Sequence, residues 1–156
     1  MNTPISIEEL LSSYSQLSMV KYEDLKHVED IDEVFKTPFV VIFYSNQHGN
    51  RVGHYCLLTK HDQPEVSYEY FDSYGKIFDY PDVYFNGKSE MHLHRLLLNK
   101  KITYNTVKLQ SEDSSICGKY CLSRALACNI PIEEYIKRLG DNPDDFVNSM
   151  YAIRRS

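Results

Sequence analysis

The sequence predicts an α+β fold in which a cysteine-bearing helix packs on a small, mostly antiparallel sheet. Two observations indicate this. Apolar runs that are typical of strands fall in the first half of the chain, at 38–44, 52–59 and 66–71. Beyond residue 115 the apolar positions recur at helical spacing instead. The 156 residues are enough for one domain with a sizeable core.

The first forty residues form an acidic, partly helical segment. Ser6-Ile7-Glu8-Glu9 is a capping box, which predicts a helix from there to about Leu17. Residues 22–34 are expected to form a solvated, partly helical connection. The net charge of the chain is −5, and this segment accounts for it with eight acidic and three basic side chains.

The second and third apolar runs predict a hairpin around a polar turn at 60–65. If Gln63 is its centre, His54 and Asp72 are both nine residues away and become cross-strand neighbours. Side chains in that relation can make the carboxylate-to-imidazole bond that fixes the tautomer of a histidine. A shift of one residue in register would place them on opposite faces. Of the other histidines, His48 and His61 lie in predicted turns, and three lie in polar or helical contexts without an aligned carboxylate: His27, His92 and His94.

Further elements follow the hairpin. Residues 81–87 are predicted to be a loop whose aromatic side chains pack locally. Beyond it we expect a helix at 90–98, an edge or half-buried strand at 102–109, and two helices at 131–139 and from residue 142 to the C-terminal arginines.

A helix that begins near Cys117 presents a thiol in its first turn. Ser114 or Ser115 can cap this helix, and its free N–H groups and macrodipole then stabilise a thiolate at Cys117. Gly118 leaves room beside the sulfur for a substrate backbone. Cys121 and Cys128 lie on the same apolar stripe, where free cysteines are usually buried core residues.

Gln110 lies seven residues before the thiol, at the end of the predicted strand. From there its NH₂ group can reach the developing oxyanion beside the backbone N–H of Cys117. Taken singly, each candidate has an ordinary structural role: His54 in a strand, Asp72 as a turn former, Gln110 as a surface residue. Together they supply the nucleophile, base, orienting carboxylate and oxyanion donor of a cysteine protease.

The motifs around these residues resemble those of the adenovirus maturation protease (adenain) family, which belongs with the SUMO-specific proteases in one clan. The shared pattern is the order His, Asp, Gln, Cys, with Gly-His-Tyr at 53–55, Tyr-Phe-Asp-Ser-Tyr-Gly at 70–75 and Ser-Ser-Ile-Cys-Gly-Lys-Tyr-Cys at 114–121. The resemblance runs from about residue 39 to residue 128. It implies an adenain-like variant of the papain-like fold.

The resemblance also implies a role for each site residue. His54 is the general base, Asp72 orients it, and Cys117 is the nucleophile. Gln110 and the backbone N–H of Cys117 form the oxyanion hole. Tyr55 replaces the tryptophan that many relatives have after the histidine, and with Gly118 it is expected to border the substrate.

Family resemblance further predicts an endopeptidase that cleaves capsid or core precursor polypeptides, with small residues, often glycine, beside the scissile bond. The implied source is a large DNA virus, a virophage or a related mobile element. We expect a monomer in the host cytoplasm or nucleus and in the virion, neither secreted nor membrane-bound. No metal or cofactor is required, although an activating peptide is possible. With a net charge of −5, DNA binding should be weak or absent.

Two alternatives remain open. An enzyme of the same fold could act on a ubiquitin-like modifier or transfer an acyl group, but 156 residues leave little room for a modifier-binding surface. A non-enzymatic zinc module could use His54, Cys56, Cys117 and Cys121, although these spacings are unusual for zinc.

The four cysteines lack the spacing of a disulfide framework, which predicts reduced thiols. Within a single domain we assign 1–37 to the acidic segment, 38–128 to the catalytic core and 129–156 to C-terminal helices.

Overall fold

The computed structural model describes residues 3–46, 53–111 and 115–155, and within them the strands form one five-stranded sheet of order β1-β2-β3-β4-β5. The strands are β1 (Leu17–Lys21), β2 (Phe39–Ser45), β3 (Gly53–His61), β4 (Ser67–Phe71) and β5 (Ile102–Tyr104). The three central strands are antiparallel, whereas each edge strand runs parallel to its neighbour. The structure therefore confirms the α+β class, with parallel edges on an antiparallel centre.

Helices cover both faces of the sheet. They are α1 (Ile7–Ser13), α2 (Tyr80–Asn86), α3 (His92–Leu96), α4 (Cys117–Leu126), α5 (Ile132–Leu139) and α6 (Pro143–Arg155), with 3₁₀ helices at Tyr22–His27 and Ile31–Val34. Because successive strand side chains point to opposite faces, Leu57 joins one core with α4 to α6 while Leu58 joins the other with α3. Burial on both faces explains why β2 is apolar almost throughout.

The N-terminal helix is shorter than predicted. Ser6 caps α1 by accepting from the backbone N–H of Glu9 at 3.1 Å, which confirms the cap, but the helix ends at Ser13. Leu17 instead begins β1, which pairs with β2 and was not predicted. The connection that follows is less solvated than expected, because three apolar side chains in it are buried: Tyr22, Leu25 and Ile31.

The predicted hairpin forms with a different register. Leu57 pairs with Phe71 and His61 with Ser67, so the centre is residue 64 rather than Gln63. The predicted direct pairing of His54 with Asp72 is therefore wrong. The error amounts to two positions along the opposite strand, and an even shift leaves both side chains on the same face.

Two predictions after the hairpin also need correction. The predicted loop at 81–87 lies almost entirely within α2, which has Pro81 in its first turn and ends at Gly87 with φ of 78°. The predicted strand at 102–109 stops at Tyr104, so Gln110 follows a loop instead of a strand. The helices at 90–98, 131–139 and 142–155 are confirmed, although the first spans only α3.

Helix α4 begins at Cys117, so the predicted first-turn position of the thiol is confirmed. The cap is Ile116, which provides no side-chain hydrogen bond, whereas Ser115 does not occupy the cap position and Ser114 lies outside the described residues. The far end of the helix is anchored by Arg124, whose guanidinium donates to both oxygens of buried Glu69 on β4 at 2.9 and 2.8 Å. This bidentate pair fixes the helix relative to the sheet.

Candidate active site

The Cys117 thiol lies between two hydrogen-bond donors at the start of α4. The backbone N–H of Tyr55 donates to its sulfur at 3.4 Å, and the His54 ring makes a second hydrogen bond to it. Burial opposes ionisation of the thiol, but the charge and hydrogen bond of His54 and the Tyr55 N–H outweigh it. The pKa of Cys117 is therefore lowered. A low pKa favours the thiolate, which is the nucleophilic form.

His54 connects the thiol to a carboxylate. Its Nε2 lies 2.7 Å from Oδ1 of Asp72, which leaves Nδ1 as the ring nitrogen available to Cys117. Burial disfavours the charged ring, but the Cys117 thiolate and the hydrogen bonds to Asp72 and Cys117 favour it, and the pKa of His54 is raised. Burial also raises the pKa of Cys56 to about 12, which keeps that thiol neutral. The site therefore favours a thiolate and imidazolium pair.

Asp72 is held in place from several sides and is 1% exposed. Its carboxylate accepts from the backbone N–H groups of Tyr74 at 2.9 Å and Lys76 at 3.2 Å. The Asn105 side chain pairs with its main chain, accepting from the Asp72 N–H at 3.0 Å and donating to the Asp72 carbonyl at 2.6 Å. Asn105 thereby extends the contact between β4 and β5 by one residue through its side chain.

Gln110 is 2% exposed and is attached to the residue after Asp72. The Ser73 hydroxyl donates to Oε1 of Gln110 at 2.6 Å, and the Ser73 carbonyl accepts from the Gln110 backbone N–H at 2.9 Å. The adjacent residues Asp72 and Ser73 therefore hold the base and the candidate oxyanion donor, respectively. The four residues predicted from the sequence belong to one connected arrangement.

Aromatic rings border this arrangement. The Tyr74 ring stacks on His54 with centroids 5.0 Å apart and an interplanar angle of 27°. A side chain at Gly118 would meet Ile5 at 2.5 Å and the Tyr55 ring at 3.1 Å, so protein atoms fill the space beside this glycine. That packing accounts for the glycine, and its contact with a substrate backbone stays a prediction.

The spacing of the polar atoms of His54, Cys56 and Asp72 is that of hydrogen-bonded groups rather than that of ligands around a metal ion. Ligand atoms of His54, Cys56 and Asp72 lie within 4.8 Å of one another. However, two ligands of a tetrahedral zinc ion are about 3.3 Å apart, and the 2.7 Å between His54 and Asp72 is too short for that. In the described part of the chain, Cys117 and Cys121 do not join this group, so the predicted zinc quartet is not assembled.

Three supporting residues were not predicted from the sequence: Ser73, Tyr74 and Asn105. Ser73 and Tyr74 stand in the quoted motif but had no assigned role. Asn105 follows the short β5, where an amide that continues a strand by its side chain leaves no periodic signal. The Tyr55 N–H donor is a backbone group, so its residue type could not reveal it.

The fold is similar to that of a viral protease. The crystal structure of the ASFV pS273R protease superposes with a TM-score of 0.52 and 13% sequence identity, covering 94% of this chain and 66% of that one. The chain thus spans just under two thirds of the length of that protease. At this identity the likeness establishes the fold: a mixed α+β fold of the viral cysteine-protease type.

Sequence similarity identifies the family more narrowly. The chain is 30% identical over 165 residues to uncharacterized protein V9 of Sputnik virophage, covering 90% of this chain and 88% of V9. It therefore belongs to the same family as this virophage protein. No protein-family model matches the chain.

Proposed function

We propose that this chain is a cysteine endopeptidase that processes precursor polypeptides of a viral particle, in the manner of the adenain-like proteases. The observation that carries the proposal is that His54, held by Asp72 at 2.7 Å, acts on the Cys117 thiol and lowers its pKa, with Gln110 attached beside them through Ser73. The fold likeness to a viral protease and the membership in a virophage family support it independently.

The geometry suggests an acyl-transfer sequence. The Cys117 thiolate attacks the scissile carbonyl carbon, and the carbonyl oxygen becomes an oxyanion. The Gln110 amide and the Cys117 backbone N–H donate to it. The His54 imidazolium then gives its proton to the leaving amine, which departs and leaves a thioester on Cys117.

Hydrolysis completes the cycle. His54 takes a proton from water, whose oxygen attacks the thioester carbonyl, and the thiolate leaves. Asp72 keeps the ring orientation constant through both steps, because its Oδ1 holds Nε2 throughout. The Tyr74 ring covers one face of the imidazole and limits the access of water to the ion pair.

The proposed substrates are capsid or core precursors encoded with the enzyme. In the described residues no helix has the length and apolar character needed to cross a bilayer. We propose a monomer that works without DNA in the host cytoplasm or nucleus and in the virion. Any activator would be a peptide or a capsid protein. Tyr55 is proposed to border the substrate, because its half-buried ring lies beside the start of α4.

The test is incubation of the purified protein with the structural proteins of its own genome, followed by mass mapping of new termini. We expect discrete cleavages that Cys117→Ala abolishes. Cys121→Ala is the matched control, since this thiol is buried in the next turn of α4 and burial raises its pKa. Intact structural proteins with both the wild type and the control would contradict the proposal.

A further inference from the structure

Ser73 is a buried hydroxyl between the orienting carboxylate and the ring that stacks on the base. It is 1% exposed, and its hydroxyl donates to Oε1 of Gln110. The distance of 2.6 Å lies in the range of O–H···O bonds and is short for an N–H···O bond. Ser73 therefore faces the oxygen end of the amide, and the NH₂ group lies at the other end.

The main chain of Ser73 reinforces this attachment. Its carbonyl accepts from the backbone N–H groups of Leu109 at 2.8 Å and Gln110 at 2.9 Å. Ser73 thus holds both the backbone and the side chain of Gln110. A glutamine side chain has several rotatable bonds, and a donor misplaced by about 1 Å can cost about 10²-fold in rate.

We propose that Ser73 is a positioning residue for the oxyanion hole: its hydroxyl fixes the amide of Gln110 with the NH₂ group directed at the substrate oxygen. This inference rests on the proposed protease function and adds to it a residue that touches neither substrate nor thiol. Neighbouring residues of one segment then control both halves of the chemistry, the base through Asp72 and the oxyanion donor through Ser73.

The test compares two reactions of Cys117 that differ in the oxyanion. A peptide aldehyde ending in glycine forms a hemithioacetal: its carbonyl carbon bonds to Sγ, and its oxygen becomes the hydroxyl or oxyanion that the hole binds. Iodoacetamide instead forms a thioether by displacing iodide and develops no such oxyanion. A defect in the hole therefore weakens only the first reaction.

For Ser73→Ala we expect about a tenfold loss in kcat and in aldehyde affinity, smaller than the roughly 10²-fold loss from removing an oxyanion donor itself. The KM and the rate of alkylation should change less than twofold. Ser73→Thr, which keeps the hydroxyl, should recover most of the loss. In a Gln110→Ala background, Ser73→Ala should have no further effect on kcat, whereas a purely structural role would add its own loss.

Ser123→Ala is the matched control, because Ser123 is also a buried serine and its hydroxyl accepts from Tyr135 at 2.9 Å, far along α4 from the thiol. If Ser73→Ala does not fold, Ser73→Cys takes its place in the experiment, because its thiol is close to the serine hydroxyl in shape but is only a weak hydrogen-bond donor. Unchanged aldehyde affinity and kcat in a folded Ser73 variant would overturn the inference and leave the protease intact. Wild-type protein that forms no hemithioacetal would overturn the proposed function and this inference together.

Discussion

Removal of the His54 ring should change how the reactivity of Cys117 depends on pH. In His54→Ala the thiol keeps the Tyr55 N–H at 3.4 Å and its place in the first turn of α4, but it loses the ring's positive charge and hydrogen bond. Burial then acts with less opposition, so the pKa of Cys117 should return to at least its ordinary value of about 8.5.

The magnitude follows from the thiolate fraction. At about pH 6 a thiol with a pKa of about 8.5 is only about 0.3% ionised, so a largely ionised wild-type thiol has a roughly 300-fold larger thiolate fraction. A more basic thiolate is intrinsically more nucleophilic, and this recovers about 10- to 30-fold. We therefore expect iodoacetamide to react about 10- to 30-fold more slowly with His54→Ala at pH 6, and at least equally fast at about pH 9.5.

The measurement is the rate of Cys117 modification followed by mass spectrometry. Both proteins should carry Cys128→Ser, because Cys128 is a half-buried thiol that could also react, whereas Cys56 and Cys121 are buried with raised pKa values. Circular dichroism checks that the variant is folded. Equal rates at pH 6 would refute the ion pair, because the positive charge that lowers the pKa of Cys117 is that of His54.

Four other outcomes are expected. Gln110→Ala should lower kcat about 10²-fold with little change in KM, and an unchanged kcat would remove it from the site. Asp72→Asn should retain more kcat/KM than His54→Ala, because the carboxylate orients the ring whereas the ring moves the proton. Glu69→Gln should lower the free energy of unfolding in urea by about 3–5 kcal/mol, since it leaves buried Arg124 without a counter-charge, whereas the exposed control Glu134→Gln should cost below about 1 kcal/mol. Duplex DNA at about 0.15 M salt should accelerate cleavage less than tenfold, because the net charge is −5; a larger effect would contradict the absence of a DNA cofactor.

The sequence predicted the central strands and the first-turn thiol because each has a strong local signal. Alternating apolar residues identify strands, and a change to helical spacing identifies α4. The prediction that His54 and Asp72 lie on the same face of the sheet was correct although the predicted register was wrong, because the two registers differ by an even number of residues. The candidate catalytic residues could therefore be chosen before their distances were known.

Other features depend on contacts that are distant in the sequence. The capping box at Ser6 favours a helix, but no neighbouring residue indicates that this helix ends at Ser13. The end at Ser13 leaves Leu17 to pair with Phe39, which lies far along the sequence. The role of Ser73 depends on Gln110, which lies 37 residues further along the chain. In the sequence, a serine whose hydroxyl binds a distant amide cannot be distinguished from any other serine beside a turn.

Three consecutive residues, Asp72, Ser73 and Tyr74, each make a different contact in the site. The Asp72 carboxylate binds the His54 ring, the Ser73 hydroxyl binds the Gln110 amide, and the Tyr74 ring stacks on His54. Its length is therefore more constrained than its composition. A conservative replacement at one position disturbs one contact, whereas an insertion or deletion of a single residue would redirect all three at once, because these residues form a turn in which the Gly75 N–H donates to the Asp72 carbonyl at 2.8 Å. Engineered insertions into this protein should be directed to other segments, since this one cannot change length without dismantling the site.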